Sequence, residues 1–222
     1  MTRSTYPQRR WPDTPLFQDI AHRWCQDQSR LLLGLVWQGY DLLHKEDLQK
    51  VPFERDDEAK EESLNFLLAL RIDQCRSGDE PFALLHQPPE QTKRKRGRGR
   101  SPQPDIGFCL HNNPRSVWPM EGKVLRRERD LAAYLEEIRK NLLTSRYATF
   151  SREAAMLGYL LEGNPETTLG QIAAGMTEPL LPHPHFPDRP HRVSEHVRAT
   201  SADPDVPTAF CCHHLVMHVA AA

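Results

Sequence analysis

Apolar residues change their spacing several times along the chain, and each change marks an element. Over residues 16–48 the spacing is helical: Leu16, Ile20 and Trp24, then a dense patch of Leu31, Leu32, Leu33, Leu35, Val36 and Trp37 that continues to Tyr40, Leu42 and Leu43. This predicts a helical layer against the core or a partner, bent or divided at Gly34. Val51-Pro52-Phe53 ends it, and Asp56 opens a second helix reaching about Asp73. Acids in its first turn suit the positive helix end, and its apolar stripe is Leu64, Leu67, Leu68 and Ile72. A turn at 77–80 leads to a short buried strand over 81–86. Two further apolar runs, 105–110 and 117–125, are joined by a turn-like segment at 111–115, the pattern of paired strands. In the first, Ile106, Phe108 and Leu110 share a face opposite Asp105, Gly107 and Cys109; in the second, Trp118, Met120 and Val124 lie opposite Glu121 and Lys123. Helical spacing returns over 128–143 with Leu131, Leu135, Ile138 and Leu142. Residues 152–161 read as another helix closed by Gly163, and Asn164-Pro165 caps a third that runs to about Ala174. The stretch 177–190 is proline-dense and non-regular, 191–198 alternates like an edge strand, and 209–219 reads as a closing strand.

This order predicts an α/β fold with a mixed central sheet flanked by helices. The domain covers 51–222, with a loop at 87–104 and the proline-rich segment at 177–190, behind an added N-terminal helical layer over 1–50. At 222 residues and 38% hydrophobic content the chain can bury one core. Its 29 Lys and Arg balance 30 Asp and Glu, so a globally basic protein is excluded and any nucleic-acid surface depends on charge placed locally. Such a placement exists: Lys93, Arg94, Lys95, Arg96, Arg98 and Arg100 fall within eight positions, interleaved with two glycines. A run of this kind forms a loop rather than a core, and serves as a solvated segment, a localisation signal or a phosphate-gripping arm. It holds no aromatics, so base stacking is not implied. Five cysteines (Cys25, Cys75, Cys109, Cys211, Cys212) follow no disulfide spacing and read as reduced thiols. With no signal-like start and no run of membrane-spanning length, the expectation is a cytoplasmic protein away from membranes.

Candidate chemistry gathers at 103–125. Side chains two apart on a strand project from one face, so Glu121 and Lys123 point together, with Asp105 on the paired strand. Two carboxylates suit a hard divalent cation such as Mg²⁺ or Mn²⁺, and an ammonium beside them polarises water or steadies a phosphoryl charge. On the preceding helix, Glu61 stands three residues before Leu64 and seven before Leu68, on the inward side. Glu58 lies one turn earlier on nearly the same line, while Glu62 is displaced by about 100°. Arg139, Lys140, Arg146 and Arg152 either add phosphate contacts or form a wet helical face.

Pro104-Asp105 followed sixteen residues later by Glu121-Gly122-Lys123 resembles the PD-(D/E)XK signature of restriction-endonuclease-like nucleases. The resemblance covers roughly 56–147: acidic helix, strand, Pro-Asp strand, Glu-x-Lys strand, helix. It implies an αβββαβ core and a Mg²⁺-dependent endonuclease acting on DNA. Asp105, Glu121 and Lys123 would be the catalytic set; Glu61, Asp105 and Glu121 would hold the ion, with Glu58 in reserve to Glu61; the 93–100 run would grip phosphates. The general form is also similar to small nucleases of bacterial antiphage defence. The alternative is a catalytically silent subunit that keeps the nuclease fold and meets a protein partner through the N-terminal helices.

The C-terminal third is rich in histidine and cysteine: His183, His185, His191, His196, Cys211, Cys212, His213, His214 and His218. Zinc ligands usually come in pairs with short gaps. Here neighbours are adjacent on a strand and point oppositely, so the pattern argues against a structural zinc site.

Overall fold

The structure, a computed structural model, describes residues 27–48, 56–88, 103–111, 113–201 and 203–219, with backbone alone for 113–116. Its elements are α1 (Gln28–Glu46), α2 (Asp57–Cys75), β1 (Phe82–His86), β2 (Ile106–Leu110), β3 (Asn113–Leu125), α3 (Ala132–Glu137), β4 (Glu153–Leu160), α4 (Pro165–Ala174), β5 (Leu181–Pro182), β6 (His191–Val197) and β7 (Ala209–His218). The predicted helix segment 16–26 and the basic run Lys93, Arg94, Lys95, Arg96, Arg98 and Arg100 lie outside the described residues.

Each long helix starts where a side chain satisfies the first free amides. Asp27 accepts from Arg30 N on α1, Asp56 from Ala59 N on α2, and Asn164 from Glu166 N and Thr167 N on α4, with Pro165 at the first helical position. Gly34 does not divide α1, which runs unbroken to Glu46. At Gly39 an added Cβ would sit 2.6 Å from Ile72 Cγ1, so glycine lets α1 and α2 cross closely. Arg71 closes the far end with paired bonds to Asp47 at 2.6 and 2.7 Å.

The seven strands of the described residues form one mixed sheet in the order β1-β2-β3-β4-β7-β6-β5. β3 to β4 and β4 to β7 are parallel, and the other pairs are antiparallel. Helices cover both faces. α1 and α2 pack on Met120, Ala155, Leu157, Tyr159, Leu215 and Met217. On the other face Leu125, Ala154, Met156, Leu160, Cys212 and Val216 share a core with Leu131, Tyr134 and Ile138 around α3 and Leu169 and Ile172 of α4. The mixed α/β architecture is as expected.

Three boundaries differ from the expectation. Residues 152–161 are not a helix: they form β4, the central strand, with residues 154–160 all buried. A strand covered on both faces carries a continuous apolar run, and such a run has no period that separates it from a buried helix. β7 is interior rather than closing, flanked by β4 and β6, and the two-residue β5 lies outside β6. The helix expected from residue 128 begins at Ala132 and continues as a π-helical turn, Ile138–Leu142.

Candidate active site

β3 changes partners halfway. Its pairing with β2 ends at Met120, opposite Ile106, and its pairing with β4 begins at the same residue. Among the described residues, 121–125 therefore have β4 on one side and no strand on the other. Two carboxylates take the place of the missing strand. Asp105 Oδ2 accepts Gly122 N–H at 2.8 Å and Glu61 Oε2 accepts Val124 N–H at 3.3 Å. Edge amides of this kind need a partner, and an ionised acceptor makes the stronger bond. The other oxygen of Glu61 takes Lys123 Nζ at 2.6 Å.

Each side chain is placed by its element. Asp105 precedes β2, and its carbonyl is fixed by Gln87 N–H at 2.8 Å. Glu61 reaches the edge because α2 lies close over Gly122. A Cβ at that glycine would fall on Asn65 Oδ1 and 2.8 Å from Tyr159 Cε2. Those two are themselves locked, Tyr159 Oη donating to Asn65 Oδ1 at 2.7 Å. Glu121 points to the opposite face, towards α3, and is 4% exposed.

The electrostatics are uneven. Burial, then the charges of Asp105 and Glu137, push Glu121 well above the usual carboxylate range, and its Oε1 has no hydrogen-bond partner. Burial also raises Glu61, outweighing the Lys123 ammonium. Burial pulls Lys123 down, but Glu61, Asp105 and Glu121 more than offset it, so its ammonium is held charged. A buried carboxylate oxygen with no partner costs about 1–3 kcal/mol or more, and a neighbouring like charge adds to that. A cation between Asp105 and Glu121 relieves both costs, so the donor set fits a hard divalent ion.

The four residues singled out from the sequence, Glu61, Asp105, Glu121 and Lys123, thus meet at one place. Glu61 binds Lys123 there, and its carboxylate is not drawn into one tight three-ligand set with Asp105 and Glu121. Glu58 and Glu62 are exposed. The basic side chains of 139–146 are engaged within the chain: Arg139 to Gly175 O at 2.6 Å, Lys140 to Glu136, and Arg146 to Asn141 Oδ1 at 3.1 Å. Sequence reasoning missed Glu137 and Tyr147. Glu137 follows buried Tyr134 by one turn and precedes buried Ile138, the same phase argument that singles out Glu61. The Tyr147 hydroxyl is pushed up to about 12, by burial first and then by Glu121 and Glu137, which places it beside the same carboxylates.

A second cluster lies at the far end of the sheet. One ring nitrogen from each of His183, His191 and His213 falls within 4.8 Å of the others, and among the described residues this is the one set of three potential ligands so closely grouped. Adjacency does separate His213 from His214. His214 faces α3, bonding Tyr134 Oη at 3.1 Å and Ser194 Oγ at 2.8 Å. The sequence argument overlooked partners on other strands.

No protein-family model matches the chain, and neither a curated protein nor a solved structure matches it.

Proposed function

We propose that the protein is a metal-dependent nuclease of the PD-(D/E)XK type, hydrolysing phosphodiester bonds, with DNA as the substrate. The observation that carries this is the convergence of Asp105, Glu121 and Lys123 at the open edge of β3, joined from α2 by Glu61. The element order α2-β1-β2-β3-α3-β4 agrees with the αβββαβ core that the motif implies.

Asp105 and Glu121 would hold Mg²⁺ or Mn²⁺, with Glu61 as the third carboxylate in reach. The ion, when bound, supplies a more acidic water and neutralises charge on the phosphoryl oxygens. Lys123 is held charged by its carboxylate neighbours, so its role is that of a fixed cation, orienting the attacking water and stabilising the developing charge, not that of a base. Glu61 keeps the Lys123 ammonium aimed at the edge. The run Lys93 to Arg100 enters the chain just before Asp105, in position along the sequence to grip the phosphate backbone.

The adaptor reading draws on the apolar content of the N-terminal helices. In α1, however, Leu32, Leu33, Leu35, Val36, Trp37 and Leu43 are buried in the chain's own core. None of the exposed large hydrophobic side chains among the described residues belongs to α1.

The direct test is incubation of the purified chain with plasmid and Mg²⁺, with and without EDTA. Asp105→Ala and Lys123→Ala should each abolish cleavage while circular dichroism stays that of the parent. Full activity in Lys123→Ala would sink the mechanism.

A further inference from the structure

Two strands and the residue that follows a third bring three histidines together on the face that packs against α1. His191 opens β6 opposite Leu215, and His213 lies two residues before Leu215 on β7, so the two are diagonal neighbours on one face. β5 pairs Pro182 with Arg192, and His183 follows with its amide on His191 O at 3.4 Å. The ring centroids are 4.5 Å apart for His183 and His191, and 5.5 Å for each of these with His213. All three are buried, at 6%, 0% and 3% exposure. They are walled by Trp37, Phe186 and Trp118.

Two ring nitrogens in this pocket, His191 Nε2 and His213 Nδ1, are buried and have no hydrogen-bond partner. Buried polar atoms are almost always paired, so two orphans in adjacent rings ask for a shared explanation. The outer edge of His213 supplies one. Its Nε2 lies 3.4 Å from Glu153 Oε2, which also accepts from Trp118 Nε1 at 3.4 Å and from Ser29 Oγ. A carboxylate on one ring nitrogen fixes the tautomer and leaves the other with a lone pair facing inward, the arrangement that supports metal-bound histidines. Burial pushes His183 down to about 4, and burial with His213 pushes His191 down to about 2, so both rings are neutral at pH 7, the form that ligates.

We propose that His183, His191 and His213 form a metal site for a divalent transition ion of the zinc type, oriented by Glu153 and separate from the carboxylate site. An all-imidazole set selects such an ion over Mg²⁺, and three protein ligands leave a fourth position for water or another donor. The bonds now made to His191 Nδ1 by Trp37 Nε1 at 3.4 Å and to His183 Nδ1 by His185 N at 3.2 Å are given up where ligation puts the proton on that nitrogen. By joining His183 to β6 and β7, the ion would tie the proline-dense segment to the sheet.

Untagged full-length protein, stripped with EDTA and dialysed, is titrated with Zn²⁺ alone and followed by calorimetry, metal content and thermal unfolding. One equivalent should bind tightly and raise the unfolding midpoint. His191→Gln and His213→Gln should weaken binding by 100-fold or more, and Glu153→Gln by about 10–100-fold. Should His191→Gln fail to fold, His183→Gln, on a segment outside the long strands, reads the same loss. A second arm with Co²⁺ should give the intense visible bands of a four-coordinate ion. Asp105→Asn with Glu121→Gln should leave the Zn²⁺ equivalent in place, which separates this site from the nuclease reading. No equivalent bound, or one that survives the histidine substitutions, overturns the proposal.

Discussion

The two ends of the sheet hold ionisable clusters built on opposite plans. At the β3 edge, carboxylates crowd around one ammonium, and burial forces Glu121 towards its protonated form. At the β5-β6-β7 end, His183 and His191 are packed so deeply that burial forces them neutral. Their effects on stability run in opposite directions. His183 and His191 have folded values of about 4 and about 2 against an ordinary 6.5. The unfolded chain therefore binds more protons between those values and 6.5, stability rises with pH there, and it is lost as pH falls through them. Glu121 is raised above 4.5, so the folded chain binds the extra proton and stability falls as pH climbs through its folded value. Burial works against the charged form of Glu121 at one end and of His183 and His191 at the other, and in each cluster the group left short of a partner is one that a cation would satisfy.

The sharpest way to break this comparison is Glu121→Gln. It keeps the shape of the side chain and removes its charge. Cleavage should fall by at least about 10²–10³-fold, the usual loss for a group that stabilises transition-state charge. At neutral pH the variant should gain about 1–3 kcal/mol in urea unfolding, because a buried and partly unpaired carboxylate has been removed. That gain should shrink as the pH falls towards 4.5, since the parent Glu121 is then protonated as well. Acid-side stability should accordingly climb more steeply with pH in the variant, since the opposing contribution of Glu121 is gone. A variant less stable than the parent at pH 7 would mean that Glu121 already has a compensating partner.

Next in size is Gly122→Ala. The added methyl meets Asn65 and Tyr159, both buried and bonded to each other at 2.7 Å, and neither can retreat without breaking that bond. The cost should be about 1–3 kcal/mol, as for other overpacked cores. Because the shift pushes α2 away, Glu61 should also lose Val124 N–H and Lys123, so activity falls with stability. Gly34→Ala is the control: an added Cβ there has nothing within 4 Å, and a glycine inside a helix usually gains about 0.5–1 kcal/mol on becoming alanine.

These two clusters also differ in how far the sequence discloses them. The β3 edge is legible because its residues are close along the chain or in phase on one helix: Glu121 and Lys123 two apart, Asp105 at the head of the paired strand, Glu61 one turn before Leu64. Glu137 obeys the same phase rule, but Tyr134, which anchors that face, lies outside the stripe of Leu131, Leu135, Ile138 and Leu142. The histidine cluster depends on the register of three strands, fixed by β6 against β7 and by a two-residue β5. Nothing local in 177–219 encodes that register. The misreading of 152–161 has the same root, since a strand buried on both faces shows its partners' burial rather than any period of its own.

The smallest loss of stability expected is also the one that best separates His213 from its neighbour. Ser194 Oγ sits between His196 Nε2 at 2.7 Å and His214 Nε2 at 2.8 Å, all three side chains buried. Burial, then His196 and His213, push His214 down to about 3, so its ring is neutral near pH 7. Both of its nitrogens are already satisfied, one by Ser194 and one by Tyr134. Ser194→Ala leaves two ring nitrogens without a partner and should cost about 1–2 kcal/mol. It touches neither His183 nor the orphaned nitrogens of His191 and His213. Zn²⁺ affinity should therefore stay within about threefold of the parent while the urea midpoint drops. If affinity falls along with stability, the two adjacent histidines are coupled through the strand, and the sheet does not insulate one face from the other.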